Sequence, residues 1–479
     1  MNLYIKNNTF WFELENLARL FFPNEKINVY KEFSEVTPPY IYTELSDRIT
    51  VKVVIGDFCD EACVPAESEN SANELQTVRL LYKILVRFSG VDQAWGLLTG
   101  VRPIKLLRKL TAERGAEAAQ AGFLNDYFVS PEKLRLSVMT EQNERRIIGL
   151  SKPESFSLYV GIPFCPSRCS YCSFVMSSVE RAKKLVEPYV DLLCEELKLT
   201  AQLASDLGLR LETVYFGGGT PTTLNAEQLD RVLGTVNSCF DMSTCREFTV
   251  EAGRPDTIDS ERLSALKENK VGRISINPQT LNNTILQKIG RKHTAEQFLE
   301  AFALARRHGF KNINTDLIAG LPSEPFESFR RSLDTILSLS AECVTVHTLC
   351  MKRAANLTTE GVVPDRNDAD IARKMLAYAE KTLTGDGYIP YYLYRQTRMV
   401  GNLENVGWSK RGFESLYNVY VMDETHTILA CGSGGVTKLK DQSTDYLKRI
   451  FNFKYPYEYI GRFNELLERK AEIPRFYGQ

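Results

Sequence analysis

From Ser157 onward the chain alternates short apolar runs with longer amphipathic stretches, and this alternation limits the possible folds more than any other feature. The runs show little polar alternation, as in strands buried on both faces, and apolar residues recur at helical spacing between them. Consecutive strand–helix units predict an α/β domain that forms most of a (β/α) barrel. The six strand candidates are SLYVGI, ETVYFGG, EFTVEA, VGRISI, KNINTDLIAG and CVTVHTL.

The sequence on either side of this alternation predicts further parts of the molecule. A length of 479 residues suggests two or three domains. Residues 1–150 combine a strand run, ITVKVVIG, with the helical pattern ELQTVRLLYKILVRFSG, which indicates an α+β module. Residues 151–350 carry the barrel, and residues 351–479 form an extension that closes it and faces the substrate. In that extension we expect a helix over 367–387, a loop-like stretch over 388–412, a strand and glycine turn over 427–439, and a helical tail.

The loop after the first strand contains Cys165, Cys169 and Cys172. With 11 cysteines in the chain, the number of such triples expected by chance is roughly 0.006, so chance does not explain the spacing. Clustered thiolates suit zinc or iron–sulfur clusters. A zinc site needs a fourth ligand, which Ser173 and Phe174 do not supply, whereas a four-iron cluster held by three thiolates leaves one iron open. Unpaired reduced thiols, and a zinc site completed by a distant residue, are the alternatives.

Polar or glycine-rich segments also follow the later strands. The segment 217–222, GGGTPT, exposes bare backbone amides and hydroxyls that can approach a ligand. Glu251 ends the third strand, Gln279 follows the fourth, and Asp316 lies in the fifth. Because a barrel gathers its chemistry at the loops that follow its strands, these residues predict one shared pocket. Each of them is also compatible with an ordinary turn or cap.

The stretch 388–412 is rich in Tyr and Arg. Arg395 and Arg398 could pair with the carboxylates of a flat substrate, because guanidinium groups bind carboxylates through two hydrogen bonds. A structural, Tyr-rich edge is an equally good interpretation.

The charge and cysteine content indicate a compartment and exclude some partners. Lys and Arg number 59 against 60 Asp and Glu, so no excess charge favours a nucleic-acid or membrane surface. The N-terminal sequence lacks the pattern of an export signal, and the cysteine count is odd. We therefore expect a cytoplasmic monomer with reduced thiols, bound to neither nucleic acid nor membrane.

Several motifs together resemble those of one enzyme family. YVGIPFCPSRCSYCSF, YFGGGTPTTL, FTVEAGRP, RISINPQTLNNTILQKIGRKH and INTDLIAGLP occur in the order found in radical S-adenosylmethionine (SAM) enzymes. Within that family the chain resembles the oxygen-independent coproporphyrinogen III dehydrogenases (oxidases), and its long N-terminal extension is similar to that of the HemZ branch. The resemblance covers residues 157–440 and implies a partial (β/α)6 barrel of the radical SAM type.

The resemblance also implies cofactors and the residues that bind them. Cys165, Cys169 and Cys172 would hold a [4Fe-4S] cluster, whose open iron would bind the amino and carboxylate groups of SAM. A first SAM would contact Tyr159 and Gly218, with Glu251 beside it. The positions that match a second SAM site are Tyr171, Gly219, Thr220, Gln279, Arg291 and Asp316.

The implied reaction is the oxidative decarboxylation of coproporphyrinogen III propionates to vinyl groups, which gives protoporphyrinogen IX. A low-potential donor such as flavodoxin or ferredoxin would supply the electron, and SAM would supply the radical that abstracts hydrogen. This scheme requires no acid–base side chain, so no catalytic residue is assigned beyond the ligands of the cluster and cofactor.

The sequence departs from the dehydrogenases at two positions, where Phe174 replaces a Cys and Gly161 replaces a His. One alternative is a haem-trafficking protein on the same scaffold, but such relatives carry His-Asn-x-x-Tyr-Trp, whereas this chain has Tyr417-Asn418 without the His. Another is a radical enzyme acting on a different tetrapyrrole, such as a haem-degrading methyltransferase. A third is an RNA-modifying radical enzyme, which the balanced charge disfavours.

Overall fold

The structure is a computed structural model that describes residues 1–174, 176–352 and 354–478. The chain divides into two compact units, which are described separately below. The first comprises Met1–Val138 and Tyr394–Glu404, and the second comprises Met139–Leu393 and Asn405–Gln479. Among the described residues, no helix has both the length and the apolar character that crossing a membrane would require.

The first unit is an α+β module, as predicted. Its five strands form a sheet in the order β2-β1-β3-β4-β5, in which β1 runs parallel to both of its neighbours and β3, β4 and β5 are antiparallel. Its elements are β1 (Asn2–Lys6), α1 (Trp11–Phe21), β2 (Asn28–Tyr30), β3 (Tyr40–Leu45), β4 (Arg48–Ile55), β5 (Phe58–Pro65), α2 (Asn70–Ser89), α3 (Pro103–Arg114), α4 (Ala116–Asn125) and the first part of α5 (Pro131–Ile148).

The sequence pattern of β4 and α2 explains how this module forms its core. In β4, Ile49, Val51 and Val53 alternate with polar residues and are completely buried on one face of the sheet. Helix α2 packs on that sheet and ends at Gly90, whose left-handed φ of 65° forms the predicted glycine cap.

The second unit begins within α5 and carries the barrel. Three of its helices start with a capping box, at Asn225, Thr294 and Asp365. Its elements up to the last barrel strand are β6 (Ser155–Ile162), β7 (Phe164–Cys165), β8 (Ser177–Ser178), α6 (Val179–Asp206), β9 (Arg210–Gly218), α7 (Ala226–Cys239), β10 (Glu247–Glu251), α8 (Ser260–Glu268), β11 (Arg273–Ser275), α9 (Asn283–Lys288), α10 (Ala295–Arg307), β12 (Ile313–Ala319), α11 (Phe326–Ser338) and β13 (Cys343–Thr348).

The rest of the second unit extends the barrel sheet and adds helices after it. Its elements are α12 (Asn356–Thr359), α13 (Arg366–Gly385), β14 (Ile389–Tyr394), β15 (Asn405–Ser409), α14 (Leu416–Asp423), β16 (Thr427–Cys431), β17 (Val436–Lys440), β18 (Leu447–Phe451), α15 (Pro456–Gly461), α16 (Phe463–Lys470) and α17 (Glu472–Phe476).

All six predicted barrel strands are present and parallel. They lie side by side in chain order, β6, β9, β10, β11, β12 and β13, within an eleven-stranded sheet. Strand β16 pairs in parallel with β6 and then turns back into β17, as the predicted strand and glycine turn require. This is the predicted partial (β/α)6 barrel with a C-terminal extension.

Two predictions for the extension were wrong. The stretch 388–412 was expected to be a loop, yet it contains β14 and β15, which extend the sheet beyond β13. The tail was expected to be helical throughout, but it begins with β18, which pairs with β17. Strands β14 and β18 lie at the two edges of the sheet, where a Pro such as Pro390 is tolerated. Strand β18 is partly exposed and so lacks the pattern of a buried strand, whereas β14 and β15 are largely buried.

Candidate functional site

The cysteine loop is held by backbone hydrogen bonds to two neighbouring segments. Cys165 ends β7, which pairs with β8, and the Cys172 amide donates to the Cys169 carbonyl over 3.1 Å. The Ser170 amide donates to the carbonyl of Ile289, just beyond α9, over 3.0 Å, and its carbonyl accepts from the Leu357 amide in α12 over 2.9 Å. The loop therefore has a defined conformation without a disulfide, since all three cysteines are free thiols.

Two side chains from later loops donate hydrogen bonds to the thiols. Thr220 Oγ1 lies 3.4 Å from Cys165 Sγ, and Arg254 Nη1 lies 3.5 Å from Cys169 Sγ. Arg254 is almost completely buried, so its positive charge acts on the sulfur through little solvent. Donors and a cation of this kind stabilise thiolates. The donor set therefore fits an iron–sulfur cluster.

Protonation of the thiols depends on a bound metal. Burial, with smaller contributions from the two neighbouring thiols, raises the pKa of Cys165 to about 12, while the Thr220 hydroxyl opposes this shift. A coordinated iron reverses that preference, because a metal-bound thiol loses its proton. In the described part of the chain, no three His, Cys, Asp or Glu side chains converge to hold a single metal ion. A cubane does not need such convergence, because each thiolate binds a different iron.

The glycine segment packs directly against the cysteine loop. The amides of Gly219 and Thr220 donate to the carbonyls of Ile162 and Phe164, both over 2.7 Å. A Cβ atom on Gly219 would lie 2.5 Å from the Phe164 carbonyl oxygen, and Gly218 has a φ of 101°. The absence of side chains here is thus required for contact between the loops as well as for access to a ligand.

Three stacked tyrosine rings and a carboxyl group come together from β6, β9, β10 and α14. Tyr159 and Tyr215 stack with centroids 6.5 Å apart, and Tyr417 stacks on Tyr215 at 4.4 Å. The Tyr215 hydroxyl donates to Glu251 Oε1 over 2.5 Å. Burial raises the pKa of Glu251 to about 7, the Tyr215 hydrogen bond opposes this shift, and Asp316 adds to it. Near neutral pH this carboxyl group is therefore poised between its two protonation states.

The pKa of Asp316 is shifted in the opposite direction from that of Glu251. Burial acts to raise its pKa, but hydrogen bonds from His347 and Asn314 and the charge of Arg291 outweigh burial, so the pKa is lowered. Asn314 Nδ2 lies 2.7 Å from Asp316 Oδ1, and His347 Nε2 lies 3.6 Å from Oδ2. The structure thus places an ionised carboxylate close to the carboxyl group of Glu251.

Arg291 and Tyr171 meet beside the cysteines. The Tyr171 hydroxyl accepts from Arg291 Nη2 over 3.2 Å and from Nε over 3.3 Å. Arg291 Nη1 also donates to the carbonyls of Asn277 and Gly253, at 2.5 Å and 3.3 Å. Backbone and phenol contacts therefore fix this buried guanidinium group in one orientation.

Gln279 provides evidence for an absent polar ligand. Its backbone has a φ of 70°, and it joins β11 to β12 through hydrogen bonds with Asp316 and Ile318. Its side-chain Oε1 is buried and finds no hydrogen-bond partner among the described residues, and the same holds for Asn277 Oδ1. Buried acceptors without donors are unfavourable, so a bound molecule that donates hydrogen bonds fits this position.

The twelve residues assigned from the sequence to the cluster and to SAM lie on the barrel strands or in the loops that follow them. The sequence analysis missed Arg254, Tyr215 and His347, which contact the predicted residues directly. Two signals were available: Arg254 lies in the quoted FTVEAGRP motif, and His347 is a polar residue near the carboxyl end of the sixth predicted strand. The predicted substrate role of Arg395 is not supported, because this buried side chain donates to the carbonyls of Leu98 and Asn402 inside the first unit.

Comparisons with known proteins agree with this geometry. The profile of the Radical SAM superfamily matches residues 159–336. The oxygen-independent coproporphyrinogen-III oxidase-like protein HemZ of Bacillus subtilis is 39% identical over 413 residues, which cover 85% of this chain and 82% of HemZ. Heme chaperone HemW of Lactococcus lactis is 33% identical over 294 residues, covering 60% of this chain and 70% of HemW.

The solved structures support the same fold. Coproporphyrinogen III oxidase (HemN) from Escherichia coli superposes with a TM-score of 0.53 at 22% identity, over 68% of this chain and 73% of HemN. Together with the cysteine loop and its donors, these relationships show that the chain belongs to the radical SAM superfamily, among the oxygen-independent coproporphyrinogen-III oxidase-like proteins that include HemZ.

Proposed function

We propose that this protein is an oxygen-independent oxidase that converts propionate side chains of coproporphyrinogen III to vinyl groups and so forms protoporphyrinogen IX. One observation carries the proposal. At one end of the barrel, cysteines that accept hydrogen bonds lie next to polar residues that include opposite charges and buried acceptors without a donor. Such a pocket suits a zwitterionic cofactor beside a redox centre.

The cysteines are the proposed ligands of the cluster. As a radical SAM protein, the chain has a [4Fe-4S] cluster and SAM as cofactors, and these supply the radical chemistry when they are bound. Cys165, Cys169 and Cys172 would hold the cluster. Thr220 and Arg254 would then stabilise the negative charge of the thiolates.

The first SAM is proposed to lie against Tyr159, Gly218 and Glu251. Binding of SAM would lower the pKa of Glu251, because a nearby ammonium group favours the ionised form of the carboxyl group over the neutral form. The Tyr215 hydroxyl holds the carboxyl group in place. Gly218 leaves the backbone accessible beside Tyr159, whose hydroxyl lies 3.4 Å from where a Cβ atom would stand.

The remaining residues are proposed to bind a second SAM. Asp316 offers an ionised carboxylate, Gln279 an unpaired acceptor, and Arg291 a cation held by Tyr171. A molecule with both an ammonium and a carboxylate group satisfies all three. Gly219 and Thr220 complete this set through their contact with the cysteine loop.

The test is anaerobic turnover of cluster-loaded protein with coproporphyrinogen III, SAM and a chemical reductant. We expect harderoporphyrinogen or protoporphyrinogen to form, with one carbon dioxide released for each vinyl group. Formation of deoxyadenosine without either porphyrinogen would contradict the proposed substrate and favour another tetrapyrrole.

A haem chaperone is the second candidate, because HemW proteins are also among the relatives. The structure supplies an observation against it: Tyr417, where those relatives have the His of their motif, is buried in the tyrosine stack. A haem titration separates the two functions. Stoichiometric haem binding that survives Tyr417→Phe, without any porphyrinogen turnover, would support a chaperone.

A further inference from the structure

The surface around the cysteine loop carries a group of exposed cations that the proposed function has not used. Arg168 lies within the loop, Lys183 and Lys184 lie in the first two turns of α6, and Lys288 and Lys292 lie at the end of α9 and shortly after it. All five side chains are exposed. We refer to these five residues as the basic rim.

The two segments that carry the lysines of the rim are each joined to the cysteine loop by backbone pairing or hydrogen bonds. Helix α6 begins one residue after Ser178, which pairs with Cys165 in the short β7–β8 ladder. The end of α9 accepts two hydrogen bonds from the loop, from the Ser170 amide to Ile289 and from Ser167 Oγ to Gly290, both 3.0 Å long. The residues of the rim therefore lie on the loop that would hold the cluster or on the two segments joined directly to it.

The charge of the rim is not neutralised by its surroundings. In the part of the chain that the structure describes, none of the five cations is within ion-pair distance of a carboxylate, and the one polar contact of Arg168 is to the Ala354 carbonyl at 2.7 Å. Glu180 is the sole acidic residue in the segments 164–184 and 283–293. Exposed cations without partners contribute little to stability, but they attract an acidic surface over long range.

An exposed aromatic ring lies in the chain segment between Arg168 and Lys183. Phe174 follows Cys172 by two residues, and 69% of it is accessible to solvent. Isolated exposed rings are common on protein surfaces, but aromatic residues are enriched at interfaces, so a ring two residues from a cysteine of the loop is a candidate contact for a partner.

We propose that the basic rim and Phe174 form the docking surface for an acidic one-electron donor protein, which reduces the cluster held by the neighbouring cysteines. This inference rests on the proposed function. Transient redox complexes bury small interfaces and depend on charge complementarity for their association rate. One electron leaves the donor and one enters the cluster, and no bond or proton is exchanged in this step.

The placement of the rim favours a protein over the carboxylates of the substrate. The cofactor-facing residues of the barrel, such as Arg291 and Asp316, are buried or half-buried, whereas the rim side chains are all exposed. Small substrates bind in concave, enclosed sites, but a protein partner requires an exposed surface.

The test compares two double variants with equal changes of charge. Lys288→Glu/Lys292→Glu reverses part of the rim, and Lys270→Glu/Lys311→Glu is the matched control. Lys270 and Lys311 are exposed and lie just before β11 and β12, at the opposite end of the barrel. None of the four residues belongs to the proposed cofactor sites.

Cluster reduction is followed anaerobically by the loss of visible absorbance, with reduced flavodoxin as the protein donor and dithionite as the chemical donor. With flavodoxin at low salt, we expect the rim variant to react about tenfold more slowly than the wild type and the control. This difference should shrink as salt is added. Affinity for oxidised flavodoxin, measured without electron transfer by calorimetry, should fall in the rim variant alone.

Dithionite separates this inference from the proposed function. Equal rates with dithionite show that the variants retain a reducible cluster. Wild-type rates and affinity with flavodoxin in the rim variant would then overturn the docking surface and leave the proposed function intact. A raised KM for coproporphyrinogen III under dithionite, with unchanged flavodoxin kinetics, would instead assign the rim to substrate carboxylates. If the wild type has no reducible cluster, the proposed function fails and the docking inference fails with it.

Discussion

At the scale of single residues, Arg254 brings a buried positive charge and hydrogen bonds to the cysteine loop. Its guanidinium group donates to Cys169 Sγ and to Ser167 Oγ, and it pairs with Asp256 at 3.1 Å. Cations and hydrogen bonds at cluster sulfurs favour the reduced form, which carries one more negative charge. The side chain is thus proposed to set the reduction potential of the cluster.

Replacing Arg254 tests this role. In Arg254→Met, loss of the cation and its hydrogen bonds should lower the reduction potential of the cluster by on the order of 60 mV, equivalent to a tenfold change in a one-electron equilibrium. Redox titration followed by electron paramagnetic resonance measures the shift. Asp256→Asn is the control, because it keeps the guanidinium group and should shift the potential upward or not at all. An unchanged potential in Arg254→Met would show that the arginine serves only to pack the loop.

Glu251 gives a prediction about pH. Its folded-state pKa is raised from 4.5 to about 7, so the folded apoprotein holds this proton more tightly than the unfolded chain does. The stability from this group is therefore fully present below about pH 4.5 and is lost as the pH rises through 7. Glu251→Gln should melt near the wild-type temperature at pH 5 and above it at pH 8. Glu300→Gln, at an exposed site, should change neither value.

At the scale of elements, the contact between the glycine segment and the cysteine loop joins two strand ends into one site. Gly219→Ala would place a Cβ atom 2.5 Å from a backbone oxygen, so the loops must separate. We expect a loss of about 1–3 kcal/mol in unfolding free energy and a reduced iron content after reconstitution. Gly272→Ala, where a Cβ atom meets nothing within 4 Å, is the matched control. Full iron content and wild-type stability in Gly219→Ala would contradict this account.

Elements that are defined by residues close together in the sequence were predicted, and most of those that depend on other parts of the chain were not. The six barrel strands were predicted because burial on both faces leaves a local apolar pattern, and the cysteine spacing is local as well. Strands β14 and β15 were missed because Pro390 and Gly407 interrupt their apolar pattern, and β18 was missed because it is a partly exposed edge strand. Arg254 and His347 were missed although both lie in quoted segments, because their partners, Cys169 and Asp316, belong to other segments of the chain. The roles assigned to the cofactor-binding residues stay predictions.

At the scale of the whole molecule, the C-terminal extension is fastened to the barrel by a buried polar network. Lys470 in α16 lies 3.0 Å from Glu196 in α6, and both side chains are almost inaccessible to solvent. Asn452 and Tyr459 also donate to the Glu196 carboxylate, over 2.8 and 2.6 Å. The last helices are thus part of the second unit and not a loose tail.

Removing one partner of this network should lower the free energy of unfolding substantially. Lys470→Met leaves Glu196 without its buried cation, and we expect a loss of about 3–5 kcal/mol in unfolding free energy. The exposed pair of Lys448 and Glu472, 2.7 Å apart, provides the control: Lys448→Met should cost less than about 1 kcal/mol. Denaturant unfolding measures both values, and equal losses would show that the network does not anchor the extension.

The central claim is that Cys165, Cys169 and Cys172 hold a [4Fe-4S] cluster with one iron open to SAM. Electron paramagnetic resonance of anaerobically reconstituted, dithionite-reduced protein tests it most directly. We predict a cubane signal that changes when SAM is added and that disappears in the triple variant Cys165→Ala/Cys169→Ala/Cys172→Ala. A signal that persists in the triple variant, or one that SAM leaves unaltered, would contradict the claim.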